Sequence, residues 1–232
     1  MNEFEIKDGV LIKYNGTASQ VVIPAGVREI GRRAFASHRS LREVRFEENG
    51  APENAVLTKI GLFAFSDCPK LCKLELPWGL REIGCCAFSN CKSLKSITLP
   101  ARLTLIQSEA FSGCVNLKQI LFLGPSAPLK IEWKAFANCK KLKSIALPVK
   151  FNLFAGHIFS GCKHLAHILF EEPPIPPQTP AGDHFLLDGV IYTSSLSYDT
   201  FADCPGLKTV TVPPHLSETA EKFARGYRVI VK

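Results

Sequence analysis

No stretch of this 232-residue chain approaches the roughly 18 consecutive apolar residues that a membrane-crossing helix needs. Membrane insertion is therefore not expected. The opening segment, MNEFEIKDGV, is acidic and mixed, without the basic start and apolar centre of a secretory leader. As it stands the chain reads as cytoplasmic, whereas a leader upstream of it would make it secreted or surface-exposed. Also missing are a Cys-x-x-Cys pair, a Gly-rich phosphate loop, a Gly-x-Ser-x-Gly elbow and a His-Glu-x-x-His helix. Those absences remove the usual signs of zinc, nucleotide and hydrolase chemistry. No catalytic residue, metal ligand or cofactor is expected, and an enzyme is the reading the residues support least.

The composition, 46% hydrophobic and 21% charged, lies in the globular range. Nine cysteines make an odd number without the spacing of a small secreted domain, so reduced thiols are expected rather than a disulfide framework. The formal charge of +7 is spread along the chain instead of collected in one block, and by itself points to no partner.

What the sequence does contain is a repeat. Phe35, Phe65, Phe88, Phe111, Phe136, Phe159 and Phe201 each open a Phe-x-x-Cys unit, with His38 in place of the first Cys, at successive spacings of 30, 23, 23, 25, 23 and 42 residues. A Leu-x-x-Ile/Leu/Val-x-Leu/Phe/Val segment follows each unit. In the fullest copy, LPWGLREIGCCAFSNCKSLKSITLP, the alternation after Leu94 predicts a short strand with Ile97 and Leu99 inward and Ser96 and Thr98 outward. Pro100 ends it, because proline cannot donate to a ladder. One such coil cannot bury its own apolar face, but stacked coils align Phe on Phe, Leu on Leu and Cys on Cys into a continuous core.

These units, IGCCAFSNCKSLKSITLP with its relatives SEAFSGCVNLKQILFLG and WKAFANCKKLKSIALP, resemble the BspA-type leucine-rich repeats of bacteria and some protozoan parasites. The opening FEIKDGVLIKYNGTASQVVIPAGVREIG is similar to the N-terminal cap of bacterial members. The resemblance implies a right-handed α/β-type repeat solenoid with a parallel sheet on one face. It also implies a binding role, since family members with assigned roles mostly bind proteins, often as surface adhesins, and are not known as enzymes.

One domain spanning 1–232 is expected, with an N-terminal cap at 1–24, repeats at 25–170, an interruption at 171–199, and the last repeat and C-terminal cap at 200–232. In the first cap, Asp8-Gly9 between apolar stretches predicts a hairpin over residues 4–14. In the last, LSETAEKFARGYRVIVK predicts a helix from about Ser217 to Arg225, stopped by Gly226 and followed by a strand. Five prolines between 173 and 180 predict an extended segment over 171–184, and FLLDGVIYT after it echoes the first hairpin. This arm is either a passive loop or a recognition element. The extra residues before Phe65, within FEENGAPENAVL, read as a surface loop.

Six cysteines, Cys68, Cys91, Cys114, Cys139, Cys162 and Cys204, share one repeat position and are expected to form an inward, inert column. Cys72, Cys85 and Cys86 lie off it and are the candidates for oxidation. Cys162, His164 and His167 are the best local metal set, but strand and turn geometry sends them in different directions.

Specificity is expected where the copies differ, at outward strand positions. The first such column reads Gln20, Glu43, Lys73, Ser96, Gln119, Ser144, His167, Thr209, and the second Val22, Arg45, Glu75, Thr98, Leu121, Ala146, Leu169, Thr211. Leu121, Ala146 and Leu169, flanked by Gln119, Ser144 and His167, form the predicted partner-binding strip; either an external protein binds it or it is simply covered, by the Pro-rich arm or by a crystal or dimer mate. A stripe at the residue after the repeat Leu holds Arg42, Lys95, Lys118, Lys143 and Lys208, with Cys72 and Ala166 interrupting it. That stripe either attracts an acidic polymer or guards a sheet edge. Nucleic acid is disfavoured, as no aromatics interleave with the lysines. The predicted function is a non-catalytic protein-binding module, with a surface adhesin and an acidic-polymer binder as alternatives.

Overall fold

The computed structural model describes residues 3–47, 56–124, 128–148, 151–171, 195–196, 199–214, 217–222 and 226–232. The 171–184 arm beyond Glu171, the second hairpin, the loop at 48–55 and residues 223–225 of the predicted helix lie outside the described residues.

The chain winds as a parallel β-solenoid of about seven turns. Each turn contributes two strand segments, one to each of two rows. In the first row the short strands β4 (Glu29–Ile30), β6 (Lys59–Ile60), β8 (Glu82–Ile83), β10 (Leu105–Ile106), β12 (Leu129–Ile131), β14 (Phe151–Phe154) and β16 (Ser195–Leu196) stack in parallel. The antiparallel hairpin of β1 (Phe4–Lys7) and β2 (Val10–Tyr14) heads this row, β2 pairing with β4. At its turn Asp8 and Gly9 take φ of 51° and 76°, the left-handed pair that matches a hairpin's twist.

The second row carries the strands predicted from the alternation. It runs β3 (Gln20–Ile23), β5 (Glu43–Phe46) and β7 (Lys73–Leu74); then β9 (Ser96–Leu99) with β11 (Gln119–Phe122); then β13 (Ser144–Pro148), β15 (His167–Glu171), β17 (Thr209–Val212) and β18 (Arg228–Val231). Adjacent strands inside each group pair in register, with Ile97 beside Ile120 and Ile145 beside Ile168. Between the groups the ladder is interrupted, although β11 and β13 remain neighbours. The helix α1 (Ser217–Lys222) precedes β18, and Gly226 between them has φ 80°.

The early coils of the first row approach closely at an Ile-Gly pair, and the later coils make the same backbone bond with Gln107, Glu132 and Ala155 in the glycine's place. Gly84 N donates to Ile60 O at 2.7 Å, and a Cβ on Gly84 would meet backbone carbon of Gly61 at 2.8 Å. Between the rows, a tight corner holds the core columns. Phe35, Phe65, Phe88, Phe111, Phe136 and Phe159 stack with ring centroids 4.8, 5.2, 5.2, 5.3 and 5.9 Å apart. Tyr14 of the hairpin extends the stack, 5.0 Å from Phe35. Each buried ring contributes on the order of 1.5–3 kcal/mol.

The corner closes its own hydrogen bonds. Phe65 N donates to Ala87 O, Phe88 N to Ala110 O and Phe111 N to Ala135 O, at 2.7–2.8 Å. Two residues after each Phe the backbone is left-handed, at Ser37, Asp67, Asn90, Gly113, Asn138, Gly161 and Asp203, residue types that mostly tolerate that region. Two residues before, it is left-handed again at Arg33, Phe63, Cys86, Glu109, Lys134 and His157, where composition gives no hint of it.

Candidate functional site: the exposed second row

The cysteine column lies inside. Cys68, Cys91, Cys114, Cys139 and Cys162 are fully buried and Cys204 is half-buried. Each thiol donates to the carbonyl of the preceding coil's Phe, from 3.1 Å for Cys68 to Phe35 to 3.5 Å for Cys139 to Phe111. Burial pushes the Cys114 thiol up to about 12 and the Cys68 thiol up to about 11, so the nucleophilic thiolate is suppressed. In the first coil, Leu41 N donates to His38 Nδ1 at 3.2 Å, which fixes Nε2–H as donor to Gly16 O at 3.0 Å. His38 thereby gives the first coil the tie back to its predecessor that the thiols give the others.

Cys162 points inward while His164 and His167 are exposed. His167 Nδ1 instead hydrogen-bonds Thr209 Oγ1 at 2.8 Å. Among the described residues no three His, Cys, Asp or Glu side chains gather as a metal site. Off the column, Cys72 is exposed, and the Cys85 and Cys86 sulfurs lie 3.7 Å apart, both half-buried.

The exposed face is built from the outward positions of the second row. Leu121 is 39% exposed in mid-strand, with Gln119 exposed beside it. On the adjacent strands Ser144 and His167 are exposed and paired, and Ala146 and Leu169 are paired and half-buried. Sequence reasoning stopped at Thr209 and Thr211, but β18 continues both columns with Arg228 beside Thr209 and Ile230 beside Thr211. The signal was available in the alternating Arg228-Val229-Ile230-Val231.

Next to these columns, Arg42, Lys95, Lys118, Lys143 and Lys208 are all exposed. Their backbones carry the ladder: Lys118 N donates to Lys95 O, Ala166 N to Lys143 O and Arg228 N to Lys208 O, each at 2.8 Å. Among the described residues no ion pair involves any of the five. Residues 83–170 hold eleven Lys and Arg against only Glu109 and Glu132. Neither of these two reaches the face, since Glu132 follows β12 of the other row, where Lys130 donates to it at 2.8 Å, and Glu109 lies in the Phe corner; the next carboxylate in the chain, Glu171, ends β15 of this row.

The N-terminal part of the same row is different. Glu43 accepts from Arg45 at 2.6 Å and from Lys73 at 2.8 Å, and Lys73 lies 3.5 Å from Glu75. The hydrogen bond from Lys73, above all, holds the Glu43 carboxyl below the usual carboxylate range, and the same bond raises Lys73.

A stacked solenoid with a patterned outer row and inert thiols is the architecture of a leucine-rich-repeat protein. The model of the family described as the BspA type leucine rich repeat region matches residues 12–123 and 58–174, in six copies, and the chain belongs to that family. Among solved structures it is similar to a leucine-rich repeat protein of T. pallidum, 26% identical over 99% of this chain and 96% of that one, with TM-score 0.68. A leucine-rich repeat protein from Bacteroides ovatus is 23% identical over 92% of this chain and 61% of that one, TM-score 0.51. The pneumococcal vaccine antigen PcpA is 18% identical over 94% and 69%, TM-score 0.55. These last two share the fold. No curated protein matches the chain by sequence. Among the described residues no helix is long and apolar enough to cross a membrane.

Proposed function

We propose that this chain is a non-catalytic protein-binding module, and that it engages its partner through the second row around Gln119, Leu121, Ser144, Ala146, His167 and Leu169. The observation that carries the reading is Leu121, a large apolar side chain left 39% exposed in the middle of a strand whose own inward positions are already filled. Packing of the solenoid gives no reason for a leucine there, whereas an interface core does.

Affinity capture compares the native chain with a Leu121→Lys/Leu169→Lys variant whose thermal unfolding is checked to be unchanged. Proteins retained by the native chain and lost by the variant are the expected result; equal capture by both overturns the reading. Running the capture on cell lysate and on extracellular-matrix proteins also separates an intracellular scaffold from an adhesin, by which mixture supplies the partner.

A further inference from the structure

Three rows run side by side along the solenoid axis across β9, β11 and β13: the exposed lysines, a polar middle row, and the second outward column; β15 continues the last two, with Ala166 in the lysine's place. In that order the coil at β11 presents Lys118, Gln119 and Leu121, and the coil at β13 presents Lys143, Ser144 and Ala146. We infer that the occupant of this face is an acidic amphipathic α-helix of a protein partner, lying along the solenoid axis with its apolar stripe on Leu121, Ala146 and Leu169 and its carboxylates over Lys95, Lys118 and Lys143. This inference rests on the protein-binding reading of the face and adds the partner's chemistry.

Charge comes first. The lysines of this face have no ion pair among the described residues, while Glu43 and Lys73, on the two coils before β9, already neutralise each other. A partner bearing carboxylates is complementary to the lysines of this face, and that complementarity selects acidic partners by suppressing basic ones.

Spacing then selects the helix. Strands of one ladder lie about 4.8 Å apart, and the Phe rings of the coils carrying β9, β11, β13 and β15 are 5.2, 5.3 and 5.9 Å apart. A helix presents one face every turn, about 5.4 Å, which lies inside that range. An extended strand laid the same way repeats its face only every two residues, about 6.6 Å, and falls out of step within three coils.

Width agrees. Lys118 lies just before β11 and Leu121 within it, so the basic row and the apolar column are at most about 10 Å apart along the coil, within the roughly 10–12 Å diameter of a helix with its side chains. A polyanion fits less well, because it would leave the leucines unused and would meet Ala166 where the basic row is broken.

A displayed library of random 16-residue peptides, selected on the native chain and counter-selected on Leu121→Lys/Leu169→Lys, tests this. The expected peptides carry Leu, Ile or Met at three- and four-residue spacing with Asp or Glu along one flank, and gain helical circular dichroism on binding. A synthetic peptide from that pool should bind about tenfold more weakly to Leu121→Lys and less tightly to Lys118→Glu/Lys143→Glu. Its affinity should also fall with salt.

Face-dependent peptides with alternating or uncharged patterns would overturn the helix while leaving the face intact. Peptides indifferent to the leucine variant, or no enriched peptides, would overturn both. Heparin that displaces the peptide and binds the leucine variant as tightly as the native chain would replace the helix with a polyanion.

Discussion

The coils at β5 and β7 and those at β9 to β15 share one interior and have opposite exteriors. Inside, Val44 and Leu74 occupy the place of Ile97, Ile120, Ile145 and Ile168, all buried. Outside, Glu43, Arg45, Lys73 and Glu75 satisfy one another, while Lys95, Lys118 and Lys143 stand beside Leu121 without an ion pair among the described residues. The repeat therefore dictates the core and leaves the outward columns free. Along this row that freedom is spent differently, closing the surface electrostatically at β5 and β7, while β3 before them leaves Val22 55% exposed and the coils after them stay open.

If the interiors are equivalent, breaking them should cost the same. Phe35 sits between Tyr14 at 5.0 Å and Phe65 at 4.8 Å, and Phe88 lies 5.2 Å from both Phe65 and Phe111. Either Phe→Ala change is expected to destabilise by about 3–5 kcal/mol, read from urea midpoints at constant slope. Costs that differ by more than half of that range would show that the two regions differ inside as well as outside.

The thiol column offers a second test, because it runs through the later coils and stops before His38. A buried thiol raised from 9 to about 12, as at Cys114, keeps its proton in the native state after the unfolded chain has lost it. Its contribution is complete below pH 9 and is lost as pH climbs toward 12, a cost of at most about 4 kcal/mol for one fully shifted thiol. Stability should thus fall steeply from pH 9 to 11, and Cys114→Ala should make that fall shallower by up to one proton. His38→Ala should leave the slope alone. An unchanged slope for Cys114→Ala would mean that the thiol reaches solvent.

Much of this architecture was legible because identical residues recur at nearly constant spacing: the Phe, Leu and Cys columns, the inward Ile97 and Leu99, and the Asp8-Gly9 turn. The first row was not, because a two-residue strand such as Glu82–Ile83 is too short to show an alternation. The left-handed residues at Arg33, Phe63 and Lys134 were hidden for another reason. Their conformation is imposed by the corner's hydrogen bonds, and no residue type advertises it. Tyr14 joins the Phe stack from an antiparallel hairpin outside the repeat, so periodicity had nothing to say about it. At the candidate face the outward residues could be listed by column, but the pairing of Glu43 with Lys73 and the solitude of Lys118 required the coils to be stacked.

That contrast gives the smallest and most selective effect. Removing Lys73 takes away the hydrogen bond that holds Glu43 ionised below the usual range, whereas removing Lys118 takes away a charge that has no ion pair among the described residues. Lys73→Ser should lower the melting temperature slightly, by at most about 2 °C, and the difference should fade in high salt. Lys118→Ser should leave it unchanged or raise it, since it relieves repulsion with Lys95 and Lys143 one coil away on either side. Partner binding should respond in the reverse order, weakened by Lys118→Ser and indifferent to Lys73→Ser. A lysine kept at a cost to the fold's own stability, and needed only when a partner is present, is the physical signature of an interface. Equal responses of both variants in both measurements would erase the distinction between the closed and the open end of the row.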